Sequence, residues 1–299
     1  MAQIHERTVH VPLTALPEQA RRARGRKLLY RVRRQYGIIV GGTIMALIVL
    51  ITLLAPLIAP YDPIDIVDDR RLGPSREHLM GTDEIGRDTF SRVVYGGRVS
   101  LRVGILAVVI GASIGTLFGM IAGYFGGWID VIILRCTDVL LAFPGILLAL
   151  VIVAVLGPSI NNVMIAVGIE FIPAFVRTVR GATLSIREED YVLAARAVGA
   201  KPRRIIGQHI LPNMVSTVIV LGTLAVGIAI LAAAGLSFLG LGAQPPTPEW
   251  GTMLSDARNY LRESPHLAIF PGATIMLVVL ALNLLGDGLR ELLDPRMRQ

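Results

Sequence analysis

Residues 111–123 read GASIGTLFGMIAG, placing Gly111, Gly115, Gly119 and Gly123 at every fourth position. The surrounding stretch from Ile105 to Phe125 contains no charged residue. In water each glycine inside a helix costs about 1 kcal/mol relative to alanine through backbone entropy, so four of them are a heavy burden. On a helix, positions i, i+4, i+8 and i+12 lie close to one face, and the absent side chains leave a groove along it. Close backbone approach of this kind is how helices associate in lipid, where hydrophobicity does not distinguish a helix partner from an acyl chain. The spacing predicts a membrane helix whose glycine face receives another helix. A sliding surface in a moving bundle would use the same groove, and the sequence leaves that open.

Composition supports the membrane. The chain has 299 residues, of which 53% are hydrophobic, above the usual share of a soluble domain. The net charge of +7 is concentrated in residues 1–36, which carry nine basic groups against Glu6 and Glu18. A basic tail beside an apolar segment signals a membrane surface and an orientation, and argues against nucleic acid. The basic flank is too long and the apolar run too extended for a cleaved signal. Cys136 is the only cysteine, so no intrachain disulfide forms.

A hydrocarbon core of about 30 Å needs roughly 20 apolar residues in a helix. Six segments meet or approach that requirement: Gly37 to Ala59, Val99 to Phe125, Val131 to Leu156, Ile160 to Val176, Met214 to Leu239, and Leu267 to Leu285. The fold class is therefore all-α, a polytopic membrane protein with a basic tail over 1–36 and one six-helix domain over 37–299. Lys and Arg near a span resist translocation, so the tail stays in the cytoplasm and an even number of spans returns the C-terminus there. Loop 179–212 then falls inside, and its six basic residues against three acids agree with that side. Loops 60–98 and 240–265 fall outside, with Trp250 expected to anchor at the interface.

The loop from 185 to 213, SIREEDYVLAARAVGAKPRRIIGQHILPN, carries several local signals. Ser185 and Glu188 have capping-box spacing. Tyr191, Ala194, Ala195 and Val198 follow at i, i+3, i+4 and i+7, forming one small, mostly apolar face. Gly199 stops this helix, Pro202 suits the first turn of another, and Pro212 is expected to break the second helix before the next span. The segment reads as helix, turn, helix.

This alanine pair, three residues, glycine and closing ILPN resemble the EAA loop of permease subunits in bacterial ABC importers. By that resemblance Ala194, Ala195, Gly199, Leu211 and Pro212 match the motif, and the loop docks on a cytoplasmic ATPase. Leu193 stands where the family has its glutamate. The stretches GTDEIGRDTFSRVVYGGRVSL (81–101), AGYFGGWID (122–130), DVLLAFPGILLA (138–149), LGAQPPTPEWGTML (241–254) and LNLLGDGLRELLDP (282–295) are similar to the C-type permease of the dipeptide, oligopeptide, glutathione and nickel importers. The resemblance implies a type I importer permease in the bacterial inner membrane. It also implies a second homologous permease, two ATP-binding subunits holding ATP and Mg, and an extracytoplasmic solute-binding protein. No cofactor is expected in this chain. Peptides are the expected solute, with glutathione or nickel as alternatives.

The remaining polar residues leave choices. Lys27 and Lys201 are the only lysines and neither stands in a P-loop, so the chain cannot be the ATPase. Histidine and cysteine show no metal-ligand spacing, so neither metal nor enzyme chemistry is expected. Arg135, Asp138 and Arg177 are expected to form an intramembrane pair, while Glu170 either lines a water-filled passage or bonds to a neighbouring helix. Asp83, Arg87 and Asp88 either cap a helix or, with Trp250, contact a binding protein. A self-sufficient secondary transporter or channel is the rival class, but no matching inverted half is visible.

Overall fold

The computed structural model describes residues 35–293, so the tail up to residue 34 lies outside the described residues. Helix α1 (Tyr36–Leu53) is followed by one helical turn and a long loop. Then come α2 (Thr89–Phe125), α3 (Gly127–Leu141), α4 (Gly145–Leu156), α5 (Ile160–Ile186) and the short α6 (Asp190–Ala197). Helix α7 (Pro202–Phe238), α8 (Trp250–Ala257) and α9 (His266–Leu293) complete the order. Among the described residues the only β pairing is two isolated bridges in the loop before α2, Ile66 with Arg87 and Thr82 with Asp88.

Helices α1, α2, α5, α7 and α9 are each long and apolar enough to cross a membrane. Four of them outrun the expected boundaries: α7 starts at Pro202 rather than Met214 and α9 ends at Leu293 rather than Leu285, and α2 and α5 do so as well. Helix α2 starts at Thr89 rather than Val99, and its 37 residues extend well past a hydrocarbon core of about 30 Å. It continues through the charges because Arg92 is buried with its NH1 donating to the Pro63 carbonyl, while Arg98 donates to the Thr52 and Leu53 carbonyls at the end of α1. Helix α5 runs ten residues beyond Val176, to Ile186, with Pro173 inside it.

The expected span Val131 to Leu156 is not one helix. Helices α3 and α4 meet at a bend of 86°. Pro144 precedes the first residue of α4, and the residue before a proline, here Phe143, disfavours helical geometry. Only if the bent pair counts as one crossing does the number of spans reach six.

The packing centres on α2 and α5. All four glycines of 111–123 are buried and face α5. A Cβ added to Gly111 would lie 2.8 Å from the Gly168 carbonyl, and one on Gly119 would lie 2.8 Å from the Val176 carbonyl. At Gly115 the obstruction is Phe175, and at Gly123 it is Thr183. The groove is therefore filled by a helix of the same chain along four turns. Val103, Ala107, Val163, Val167, Phe175 and Ala229 form the buried cluster that continues this seam to α7. A second cluster joins α1, α2, α7, α8 and α9 around Ile48, Ile230, Trp250 and Val278.

Because the seam leaves no room for a side chain, Gly115→Leu must force α2 and α5 apart. Gly181 meets nothing within 4 Å and provides a control of the same chemistry. In thermal unfolding of the detergent-solubilised protein, Gly115→Leu is expected to lower the midpoint by more than about 5 °C and Gly181→Leu by less than about 2 °C.

Candidate functional site

The connection between α5 and α7 forms a compact helical hairpin. Helix α6 ends in a complete Schellman motif: the Ala200 N–H donates to Ala195 O (3.0 Å) and the Gly199 N–H to Arg196 O (2.9 Å). Gly199 adopts φ +79°, a left-handed conformation that needs glycine here. Pro202 then opens α7 at its first turn, where its missing N–H costs nothing.

Two local expectations are corrected. Ser185 and Glu188 form no capping box, because Ser185 lies inside the last turn of α5; α6 instead begins after Glu189, whose side chain makes no capping bond. Glu188 accepts from Arg187 Nε at 2.9 Å. The apolar face of α5 continues past Val176 through Val179, Ala182 and Ile186, which carries the helix through the proposed cap. Pro212 does not break the second helix either. A π-helical turn over Ile206–Ile210 precedes it, and this wider turn tolerates the lost N–H so that α7 continues from Pro202 to Phe238.

The hairpin has two faces of opposite character. Val192, which the periodicity did not single out, is fully buried with Ile205, Ile210, Met214, Val179 and Met120. On the other side Tyr191, Leu193, Ala194 and Val198 are exposed, Val198 to 84%, and Ala195 is half-buried. Polar contacts hold the anchored side to the end of α2: Arg187 NH1 donates to Gly123 O at 3.0 Å, and the Arg196 guanidinium lies 5.0 Å from the Tyr124 ring centroid. Asn213 Nδ2 donates to His209 O and to the Tyr191 hydroxyl. Burial, then the charge of Glu189, pushes the Tyr191 phenol up, so it stays neutral. Leu211 is exposed just after the π-helical turn of α7.

The charged residues near the α3–α4 break lie together. Arg177 donates to Asp138 at 2.8 Å, with Arg135 3.8 Å from the same carboxylate. A second pair, which sequence reasoning missed, is Arg180 on α5 gripping Asp130 on α3 through two parallel bonds. Nothing in the sequence spacing linked 130 with 180. Glu170 occupies the space left by the absent side chain of Gly145 at the start of α4, and its Oε2 has no hydrogen-bond partner among the described residues.

At the opposite end of the α2–α5 seam, Asp88 caps α2. Its Oδ2 accepts from the Ser91 N–H and hydroxyl, both at 2.7 Å, while Oδ1 lies 3.0 Å from His78 Nδ1. Asp83 accepts from Arg87 Nε at 2.6 Å and from three backbone N–H groups. Burial places Asp83, Arg87 and Asp88 inside the loop rather than on a docking face. Trp250 is likewise no interface anchor. It is 1% exposed, its indole lies beside Gly96 and Gly97, and Nε1 donates to Val93 O at 2.9 Å.

The geometry defines a multi-pass, all-helical membrane protein with one anchored hairpin displaying a small apolar surface. Comparison with known proteins identifies its kind. Residues 115–299 match the family described as "Binding-protein-dependent transport system inner membrane component". Residues 24–74 match the "N-terminal TM domain of oligopeptide transport permease C". The chain is 52% identical over 261 residues to the dipeptide transport system permease protein DppC of Alkalihalophilus pseudofirmus, covering 87% of this chain and 86% of that one. It is 47% identical over 288 residues to the glutathione transport system permease protein GsiD of Pectobacterium atrosepticum, with 96% of each covered. A GsiD from Escherichia coli is 52% identical over 270 residues, covering 90% and 89% respectively. The chain belongs to the family of binding-protein-dependent transport permeases and is a multi-pass protein of the bacterial inner membrane.

The capping aspartate gives this region a simple test. Asp88→Ala removes the cap and leaves His78 short of a partner, an expected cost of about 2 kcal/mol in thermal or denaturant unfolding. Asp88→Asn keeps an acceptor for Ser91 and is expected to recover more than about half of it.

Proposed function

We propose that this chain is one of two permease subunits enclosing the pathway of an ATP-driven importer, and that the hairpin from 187 to 201 docks on a cytoplasmic ATPase subunit. The observation that carries this reading is the hairpin's division into an anchored and a displayed face. Val192 ties it to the α2–α5 seam, while Tyr191, Leu193, Ala194 and Val198 offer an exposed, mostly apolar surface. A partner's groove covering that surface would gain hydrophobic energy and would push directly on α5 and α7. Alternating access follows if ATP-driven closure of the ATPase subunits moves the hairpins of the two permeases together.

In this arrangement both termini are cytoplasmic, and the segments 60–98 and 240–265 face outward toward a solute-binding protein. ATP and Mg²⁺ belong to the ATPase subunits, and this chain holds no cofactor. Relatives named for dipeptide and glutathione transport support small peptides as the solute class. Glutathione, itself a peptide, falls in that class.

Val198→Asp would place a charge in the contact and leave it desolvated, while Gly199→Val would strain the left-handed turn. Both variants are expected to insert in the membrane at normal levels yet lose more than about nine-tenths of dipeptide uptake, a barrier increase of at least about 1.4 kcal/mol. Uptake in membrane vesicles and ATPase stimulation by loaded binding protein are the measurements. Wild-type transport in both variants would remove the hairpin from the coupling path.

A further inference from the structure

A cavity of about 570 Å³ opens between α5, α7 and α9. Its size lies within the range of about 300–1,000 Å³ typical of small-ligand pockets. One face of α7 forms a wall: Asn213, Ser216, Thr217, Val220, Leu221 and Leu224 follow at helical spacing, polar toward the hairpin and apolar beyond. Thr178 of α5 and Arg290 in the last turn of α9 add the remaining polar groups.

The lining carries one sign of charge. Among the described residues that form it, Arg290 alone is ionic, and it makes no hydrogen bond or ion pair with any of them. Asp287 and Glu291, exposed on the same helix, do not line the cavity. An arginine in the last turn of a helix offsets the partial negative charge of the terminal carbonyls. That accounts for a cation on α9 but not for the groups set opposite it on α5 and α7.

Those groups are hydroxyls available for bonding. A serine or threonine inside a helix can donate back to the carbonyl four residues earlier, as Thr137, Thr223 and Thr274 do here. Thr178, Ser216 and Thr217 make neither that bond nor any other among the described residues, and each has accessible surface in the cavity wall. Asn213 is engaged elsewhere, its Nδ2 donating to His209 O at 2.6 Å and to the Tyr191 hydroxyl at 3.3 Å. Acyl chains offer hydroxyls and guanidinium no partner, so this wall meets water or a polar ligand. An arginine fork beside free hydroxyl donors, with no carboxylate in the lining, is a donor set for an oxyanion.

We infer that this cavity binds an oxyanion, the carboxylate or phosphate head of a molecule with an apolar body, with Arg290 as its counter-charge and the Ser216 and Thr217 hydroxyls as donors. The apolar body lies along Val220, Leu221 and Leu224, further up the same face of α7. The head group has two sources: the terminal carboxylate of the solute, or the phosphate of a phospholipid. Only the first source rests on the importer reading; the binding itself does not.

The test uses the full chain assembled with its partner subunits in phosphatidylcholine nanodiscs. Binding of n-butyrate is followed by saturation-transfer NMR, with n-butyramide as the neutral comparison. Saturable binding of the anion alone is expected, weakened at least about tenfold by Arg290→Gln and by less than about threefold in Arg290→Lys, which keeps the charge. Complex yield and thermal midpoint of each variant report folding separately. Equal binding by wild type and Arg290→Gln, or none by a folded wild type, overturns the site. Displacement of n-butyrate by a dipeptide but not by its C-terminal amide assigns the source to the solute. Phosphatidylglycerol retained by the purified wild-type complex in native mass spectrometry and lost from Arg290→Gln assigns it to lipid, and neither result overturns both assignments.

Discussion

The close contact of α2 with α5 is the constraint on which the rest of the structure depends. Lipid supplies no hydrophobic drive for helix association, so the energy must come from dispersion and close backbone approach along a matched surface. Four glycines provide that surface on α2, and Phe175, Val176, Val179 and Thr183 fill it from α5. One end of the seam is fixed by the Asp88 cap and the loop folded around it. At the other end α2 holds the hairpin through Gly123 and Tyr124. A displacement of the hairpin therefore meets a rigid pair of long helices rather than a loose loop.

The hairpin itself is built to be stiff and to leave one face unused. A Schellman motif, a proline at the first turn and the buried Val192 fix its shape, and none of them involves the exposed Leu193, Ala194 or Val198. Large exposed apolar residues on such a short, ordered segment require a partner to be energetically reasonable. The proposed docking supplies one. The opposite region follows a different logic, with Asp83, Arg87, Asp88 and Trp250 buried and held in internal bonds.

Much of this was legible in the sequence because it rests on local chemistry. The period of four in 111–123 shows a packing face, and the glycine at 199 followed by a proline at 202 shows a tight helix-turn-helix. The 86° break at Pro144 was missed since a mostly apolar run from 131 to 156, with Arg135 and Asp138 its only charges, satisfies a length criterion whether or not it bends. The start of α2 lies ahead of the expected Val99 because Arg92 and Arg98 are satisfied by carbonyls distant in sequence, which an apolar-length criterion does not register. The Arg180–Asp130 pair and the role of Val192 depend on how α3, α5 and α6 come together, which no periodicity encodes.

The most direct test of the account is amide hydrogen exchange across residues 190–200 in the purified permease pair, measured with and without the ATPase subunits. Docking through the displayed face predicts slower exchange in this segment on addition of the ATPase, with the α2–α5 seam already protected in both states. Unchanged exchange at 190–200, with new protection appearing on another surface of the permease, would contradict it.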